Sequence, residues 1–201
     1  MHRLEIQIDW AAFVEGDEEV FRQVYDIFFE VLYNYGCKFT SNKELVEDAI
    51  QELFVRFWKS RDRLNEPPSL KNYLLKAFRN HMSDRLKAEG RYIADELGEQ
   101  HMFTLVPSPE QVQVVGEQSA AVTERIDKAL GSLSDRQREA IYLRFYEEYS
   151  YVDIAGIMGI TVKATYKLMA RAIDAMREHL GGSDLHILLI LMTKGLKLNT
   201  K

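Results

Sequence analysis

The chain has 201 residues, 46% of them hydrophobic and 28% charged, which is the composition of a globular protein and too apolar for general disorder. Its longest apolar run covers only Ile187 to Met192, whereas about 18 apolar residues are needed to span a bilayer. The first residues lack the pattern of a secretory leader, and the single cysteine, Cys37, excludes a disulfide framework and a cysteine-rich metal site. We expect a cytoplasmic protein of one large or two small domains, with no membrane insertion, metal or cofactor.

Charge is distributed in blocks, although the net charge is only −5. Residues 1–55 carry 12 acidic and 4 basic groups, whereas residues 56–91 carry 4 acidic and 10 basic groups. Residues 92–135 are again acidic, with 8 acidic groups and 2 basic ones. Such blocks create local fields that the overall charge hides, so a basic surface for nucleic acid is compatible with an acidic chain.

The first 88 residues show helical periodicity, and no stretch alternates in the manner of a strand. Capping residues and a proline break delimit three amphipathic helices. They are predicted at Glu18 to about Gly36 after the cap Asp17, at about Lys43 to Ser60 after the cap Ser41 or Asn42, and at Leu70 to about Ala88 after Pro67-Pro68-Ser69. Three helices with this much apolar surface predict a helical bundle over residues 1–88.

The helical spacing of apolar residues is absent between residues 89 and 118, where the chain is acidic and rich in turn-forming residues. We predict a flexible linker there, with a short helical turn near Ala94–Leu97. A second helical domain is predicted at residues 119–181. The tail, residues 182–201, is either a terminal helix packed on the second domain or a docking segment for a regulator. The fold class is all-α, with two small helical domains of which the C-terminal one is a helix-turn-helix.

The second domain begins with helices that start near Ser119, and it contains two predicted capping boxes, Ser134–Gln137 and Ser150–Asp153. After the second box, Ala155 is small enough for another helix to cross closely. Gly159, four residues later, suits a tight turn in the left-handed conformation. This is the spacing of a helix-turn-helix.

Thr161 is the predicted cap of the second helix of this motif, Val162 to Leu180. We expect its inward residues to be Thr165, Met169, Ala172 and Met176, and its outward residues to be Lys163, Tyr166, Lys167, Ala170 and Arg171. An ordinary helical hairpin is the alternative. The basic outer face favours DNA binding, because a recognition helix reads the major groove with its first turns.

The first bundle carries two polar faces. The acidic face of its second helix comprises Asp48, Gln51, Glu52 and Val55. On spacing alone, the acidic face is typical of a solvated helix surface. The basic face of the third helix is predicted to point away from the core and comprises Asn72, Lys76, Arg79, Asn80, Ser83 and Lys87. The basic face suits a nucleic-acid backbone, with solvation as its alternative.

Three blocks resemble one family. Val46–Trp58, with its Asp-x-x-Gln-Glu-x-Phe core, resembles the second conserved region of bacterial extracytoplasmic-function sigma factors. Leu70–Asn80 resembles the adjoining promoter-melting region, with Tyr73 in place of the commoner Trp. Leu130–Arg144 and the helix-turn-helix after it resemble the fourth region, although Thr165 stands where the family usually has an apolar residue.

The resemblance implies a sigma factor that binds core RNA polymerase, recognises the −35 and −10 promoter elements and promotes transcription initiation. It also implies a membrane-linked anti-sigma factor as a candidate partner. The implied polymerase-binding residues are Asp48, Gln51, Glu52 and Val55, with Phe54 and Trp58 behind them. The implied −10 residues are Arg63, Asn72, Tyr73, Lys76, Arg79, Asn80, Ser83 and Lys87. The implied −35 residues are Thr161, Lys163, Ala164, Tyr166, Lys167 and Arg171.

Two other classes compete with this interpretation. A helix-turn-helix repressor or activator would bind its operator without polymerase, usually as a homodimer on paired half-sites. An enzyme is disfavoured, because the sequence has no His-Glu-x-x-His pattern and no glycine-rich phosphate loop.

Overall fold

The computed structural model describes residues 8–88, 103–105 and 120–180. Regular secondary structure in these ranges is entirely helical, so the all-α prediction is confirmed. The chain divides into two compact units, Met1–Ala88 and Glu89–Lys201. The helical turn predicted near Ala94–Leu97 and the tail from residue 182 lie outside the described residues.

The N-terminal unit is built from four α-helices and one short 3₁₀ turn. These are α1 (Trp10–Glu15), α2 (Glu18–Gly36), α3 (Lys43–Lys59), the 3₁₀ turn Arg61–Arg63, and α4 (Leu70–Ala88). Asp17 caps α2 by accepting from the backbone N–H groups of Glu19 and Val20 at 2.8 and 3.2 Å. Asn42, and not Ser41, caps α3 through the N–H of Leu45 at 3.2 Å. The helix positions predicted from the sequence are confirmed.

The periodicity did not reveal α1, because six residues complete fewer than two turns. Asp9 caps α1. Phe13, the buried residue of this helix, stacks on Phe57 of α3 with ring centroids 4.7 Å apart. Helix α1 thereby adds the fully buried Phe13 to the apolar core of the N-terminal unit.

Helices α2, α3 and α4 pack against one another around that core. Gly36, the last residue of α2, permits a close approach of two other side chains. A Cβ at this position would lie 2.6 Å from Val46 Cγ1 and 2.9 Å from Phe78 Cζ. The missing side chain therefore sets how closely α2 approaches α3 and α4.

The C-terminal unit contains α5 (Ala120–Gly131), α6 (Asp135–Ile141), a π-helical turn (Tyr142–Tyr146), α7 (Tyr151–Met158) and α8 (Val162–His179). Both predicted capping boxes are confirmed, at Ser134 with Gln137 and at Ser150 with Asp153. The π-helical turn was not predicted. Helix α8 packs on α5, α6 and α7, and its buried residues are Thr165, Met169, Ala172 and Met176, as expected.

Part of the predicted linker lies on the C-terminal unit. Phe103 is only 1% exposed, and its ring meets that of Tyr142 with centroids 5.7 Å apart. Arg138 donates from Nη1 to the Phe103 carbonyl oxygen at 3.4 Å. Residues 103–105 therefore pack against the C-terminal unit, with Phe103 and Leu105 buried. Within the described ranges, no helix is long and apolar enough to cross a bilayer.

Candidate protein-binding and DNA-binding surfaces

The acidic face lies on the solvent side of α3. All four of its residues are exposed, including the apolar Val55, which is 49% exposed. Phe54 lies behind it and is 2% exposed, because its ring packs on Tyr25 of α2 with centroids 4.8 Å apart. Trp58 is half-buried. The acidic face therefore presents two carboxylates, one amide and one aliphatic side chain to solvent.

Basic side chains from α4 contact the acidic face. Arg85 Nη1 lies 3.1 Å from Glu52 Oε1, and Arg85 Nη2 lies 3.8 Å from Asp48 Oδ2. His81 Nε2 lies 2.8 Å from the other Glu52 oxygen, and Arg56 Nη2 lies 3.8 Å from that same oxygen. The two carboxylates are therefore held by groups on two helices.

His81 is only 8% exposed. Burial, followed by the positive charge of Arg56, lowers its pKa below the ordinary value of 6.5, although Glu52 acts in the opposite direction. His81 is therefore mainly neutral at neutral pH and leaves most of the negative charge of Glu52 in place.

An aromatic groove lies beside Trp58. It is an open depression of about 360 Å³, lined by Glu18, Phe21, Arg22, Tyr25 and Trp58. Phe21 and Tyr25 belong to the apolar stripe of α2 by their spacing in the sequence, but both are only half-buried. An apolar stripe identifies the inward side of a helix but does not show how far the neighbouring helix covers it. The sequence pattern therefore does not predict the aromatic groove.

On α4, four of the predicted −10 residues form one exposed row: Tyr73, Lys76, Asn80 and Lys87. Asn72 is half-buried, and Arg63 is exposed on the 3₁₀ turn before α4. The prediction that Arg79 and Ser83 point away from the core is wrong. They are 6% and 9% exposed, because α4 packs on both α2 and α3 and its buried arc is wider than its apolar stripe.

The helix-turn-helix has the predicted turn. Gly159 ends α7 in the left-handed conformation, with φ of 66°. Thr161 caps α8 by accepting from the Ala164 N–H at 3.1 Å. Lys163, Tyr166, Lys167, Ala170 and Arg171 are all exposed, while Ala164 is half-buried. The outer side of the first turns of α8 therefore presents cations and one aromatic ring to solvent.

Thr165 is fully buried despite its polar side chain. Its hydroxyl donates to the Thr161 carbonyl oxygen at 3.2 Å, so the hydrogen bond is made within the same helix. Threonine can therefore stand here in place of an apolar residue, because its buried hydroxyl has a hydrogen-bond partner.

An aromatic stack joins the two helices of the motif. The rings of Tyr151 on α7 and Tyr166 on α8 lie parallel, with centroids 4.2 Å apart. The Arg144 guanidinium lies 5.4 Å from the centre of the Tyr151 ring, and it donates to the Tyr149 carbonyl oxygen at 2.9 Å. No sequence pattern indicates this stack, because its residues come from different helices.

Comparison with known proteins finds two family models that match the chain. Residues 24–92 match the model of sigma-70 region 2, and residues 123–176 match the model of sigma-70 region 4. Together the two matches span more than half of the chain.

Characterised relatives match nearly the whole length. The chain is 25% identical over 175 residues to the ECF RNA polymerase sigma factor SigW of Bacillus subtilis, which covers 83% of this chain and 91% of that protein. It is 27% identical over 181 residues to the ECF RNA polymerase sigma factor SigL of Mycobacterium tuberculosis, which covers 87% of this chain and 97% of that protein.

Solved structures share the fold. CnrH in complex with the cytosolic domain of CnrY aligns with a TM-score of 0.57 at 21% identity, covering 84% of this chain and 92% of that one. The sigma factor RpoE in complex with the anti-sigma factor NepR from Bartonella quintana aligns with a TM-score of 0.54 at 23% identity, covering 81% of this chain and 97% of that one. With both sigma-70 regions present in order and ECF relatives matched over most of their length, the chain belongs to the extracytoplasmic-function group of the sigma-70 family.

Proposed function

We propose that this chain binds core RNA polymerase, directs it to promoters through the −35 and −10 elements, and promotes transcription initiation. The observation that carries this proposal is the combination of a region 2 bundle with an exposed acidic face and a region 4 helix-turn-helix with an exposed basic face, in that order. A sequence-reading adaptor needs one surface for the polymerase and one or more for DNA.

The N-terminal unit supplies the polymerase contact in this proposal. Asp48, Gln51, Glu52 and Val55 of the acidic face would meet the partner directly, since all four are exposed. Phe54 and Trp58 would hold α3 in place from behind. Exposed carboxylates around an aliphatic side chain suit a basic partner surface with an apolar centre.

The −10 element would lie along α4 and the chain just before it. Asn72, Tyr73, Lys76, Asn80 and Lys87, with Arg63, offer cations for phosphates and amides for base edges. Asn80 stands at the position that the resemblance assigns to a base pulled from the stack. Flipping a base costs a few kcal/mol, so contacts of this kind must offset that cost. Arg79 and Ser83, being buried, would shape this surface from below.

The −35 element would be read as duplex DNA by α8. Thr161 and Ala164 lie at the helix N-terminus, where backbone N–H groups favour a phosphate. Lys163, Tyr166, Lys167 and Arg171 face outward over the next turns and would meet phosphates and base edges in the major groove.

The remaining assignments extend the same proposal. Residues 1–88 would act as sigma region 2, residues 89–118 as the linker, residues 119–181 as sigma region 4 and residues 182–201 as a tail. The protein would act in the cytoplasm without catalysing a reaction. A membrane-linked anti-sigma factor is proposed as a regulator, by analogy with the related complexes of sigma factors with their inhibitors.

A transcription assay tests the proposal. The purified chain is mixed with bacterial core RNA polymerase on a genomic promoter library, and transcripts are sequenced. Defined start sites that require both components support the proposal. Tight operator binding by the chain alone, with no polymerase-dependent start sites, would favour the repressor or activator instead.

A variant pair locates the polymerase surface. Asp48→Arg combined with Gln51→Ala should abolish polymerase binding, because it reverses one charge and truncates one contact on the acidic face. Asp127→Arg, an exposed charge reversal on α5, is the matched control and should bind as the unmodified chain does. Unchanged binding by the double variant would remove α3 from the interface.

A further inference from the structure

We propose that Arg85 of α4, assisted by His81, is a positioning residue that holds the carboxylates of Asp48 and Glu52 in the geometry that core polymerase recognises. This inference rests on the proposed function. It assigns a role to two α4 residues that belong to neither the expected polymerase-binding set nor the expected −10 set.

The first step is the geometry of the contact. Asp48 and Glu52 lie one helical turn apart on α3, and one guanidinium reaches both, at 3.8 Å and 3.1 Å. The Arg85 side chain is only 26% exposed, whereas those of Asp48 and Glu52 are 62% and 49% exposed. The cation therefore lies beneath the two carboxylates, and their outer lone pairs remain open to a partner.

The second step is the fixation of Glu52. One of its oxygens receives Arg85 Nη1, and the other lies 2.8 Å from Nε2 of the nearly buried His81. With a hydrogen bond from Arg85 at one oxygen and the His81 ring close to the other, the Glu52 side chain is restricted before any partner arrives. Binding then costs less ordering entropy, which is the usual benefit of a pre-organised interface residue.

The third step distinguishes this cluster from an ordinary surface pair. Arg22 with Glu19 and Arg177 with Asp174 are exposed pairs within single helices, with more than 60% of each side chain accessible. Such pairs are mobile and contribute little. The Arg85 cluster instead joins two helices and is backed by a buried side chain, and its carboxylates lie on the surface proposed to meet the polymerase.

The fourth step concerns the type of cation. A guanidinium has several N–H donors in a planar fork and can engage two carboxylates at once, whereas an ammonium is a single point charge. If positioning matters, lysine cannot replace Arg85. If only positive charge matters, lysine suffices.

The experiment measures the dissociation constant of the full chain for core RNA polymerase in a double-mutant cycle. We expect Arg85→Ala to weaken binding roughly five- to tenfold, and Arg85→Lys to weaken it nearly as much. In a Glu52→Gln, Asp48→Asn background, Arg85→Ala should change the dissociation constant by less than about twofold, because Arg85 acts through these carboxylates. Arg177→Ala is the matched control and should leave polymerase binding unchanged.

Two results would overturn the inference: wild-type affinity in Arg85→Lys, or an undiminished effect of Arg85→Ala in the background that lacks both carboxylates. Thermal unfolding of each variant checks the fold, and if Arg85→Ala does not fold, the same cycle is run with Arg85→Lys. Failure of the unmodified chain to bind polymerase would instead refute the proposed function, so the two failures are distinguishable.

Discussion

Tyr151 and Tyr166 stack with their ring planes 16° apart, and this contact fastens the two helices of the helix-turn-helix at the surface. Tyr166 is 55% exposed, so one ring serves both the packing of α8 and its outer face. The orientation of the proposed recognition helix therefore depends on a contact close to the DNA side, besides the buried core beneath it.

We expect Tyr151→Ala to lower the free energy of unfolding of the C-terminal unit, with about 0.5–1.5 kcal/mol coming from the lost stack. Tyr151→Phe keeps the ring and should remain near the unmodified value. Denaturant unfolding followed by circular dichroism measures both. Equal losses for the two variants would mean that the hydroxyl, not the stack, is the stabilising group.

Lys167→Ala should weaken promoter binding by the polymerase complex about equally on all promoter sequences, because an exposed ammonium on α8 is suited to a phosphate. The plot of the logarithm of the association constant against the logarithm of the salt concentration should become less steep by about 1. Binding titrations at several salt concentrations measure the slope. A loss confined to one −35 sequence would instead indicate a base contact.

Gly36→Ala should destabilise the N-terminal unit by about 1–3 kcal/mol, because the new Cβ would overlap Val46 and Phe78. Both tryptophans lie in this unit, so fluorescence during denaturant unfolding reports on it directly. Gly156→Ala is the control for the intrinsic effect of alanine, since nothing lies within 4 Å of a Cβ there. Because Gly156 lies in the C-terminal unit, the unfolding of that variant is followed by circular dichroism. That variant should be neutral or more stable.

Glu148 adopts a positive φ of 56° just before α7, a conformation that costs a side chain about 1–2 kcal/mol relative to glycine. Glu148→Gly should therefore raise the thermal stability of the C-terminal unit, whereas Glu148→Ala should leave the strain in place. A melting temperature that rises equally in both variants would show that loss of charge is the cause.

High pH should destabilise the C-terminal unit. Burial raises the pKa of Tyr146 from 10.0 to about 12, so the phenol ionises first in the unfolded chain. Stability is then complete below pH 10 and falls as the pH rises from 10 towards 12. Tyr146→Phe should make this part of the pH profile of unfolding less steep, and the slope that remains comes from Tyr142 and Tyr149, since burial raises the pKa of both. Among the described residues, the buried hydroxyl of Tyr146 makes no hydrogen bond, so the substitution breaks none.

Local chemistry made most helix boundaries predictable. Asp17, Ser134, Ser150 and Thr161 each cap the helix that they were expected to cap, because a cap depends only on the backbone within three residues. Gly159 was predictable for the same reason, since a left-handed turn after a short helix favours glycine whatever packs around it.

Features that depend on two helices were not predictable. Arg79 and Ser83 were placed outside because polar residues usually are, but the width of the buried arc of α4 is set by its neighbours. The contact between Arg85 and Glu52 spans 33 positions and follows no sequence period. The same holds for the Tyr151–Tyr166 stack and for the aromatic groove beside Trp58.

The hydrogen bond of Thr165 separates the interior of α8 from its outer face. Because the Thr161 carbonyl oxygen accepts from both the hydroxyl and the backbone N–H of Thr165, valine at this position would leave no buried polar group unpaired there. The packing of this helix and the side chains that it presents outward can therefore be altered separately.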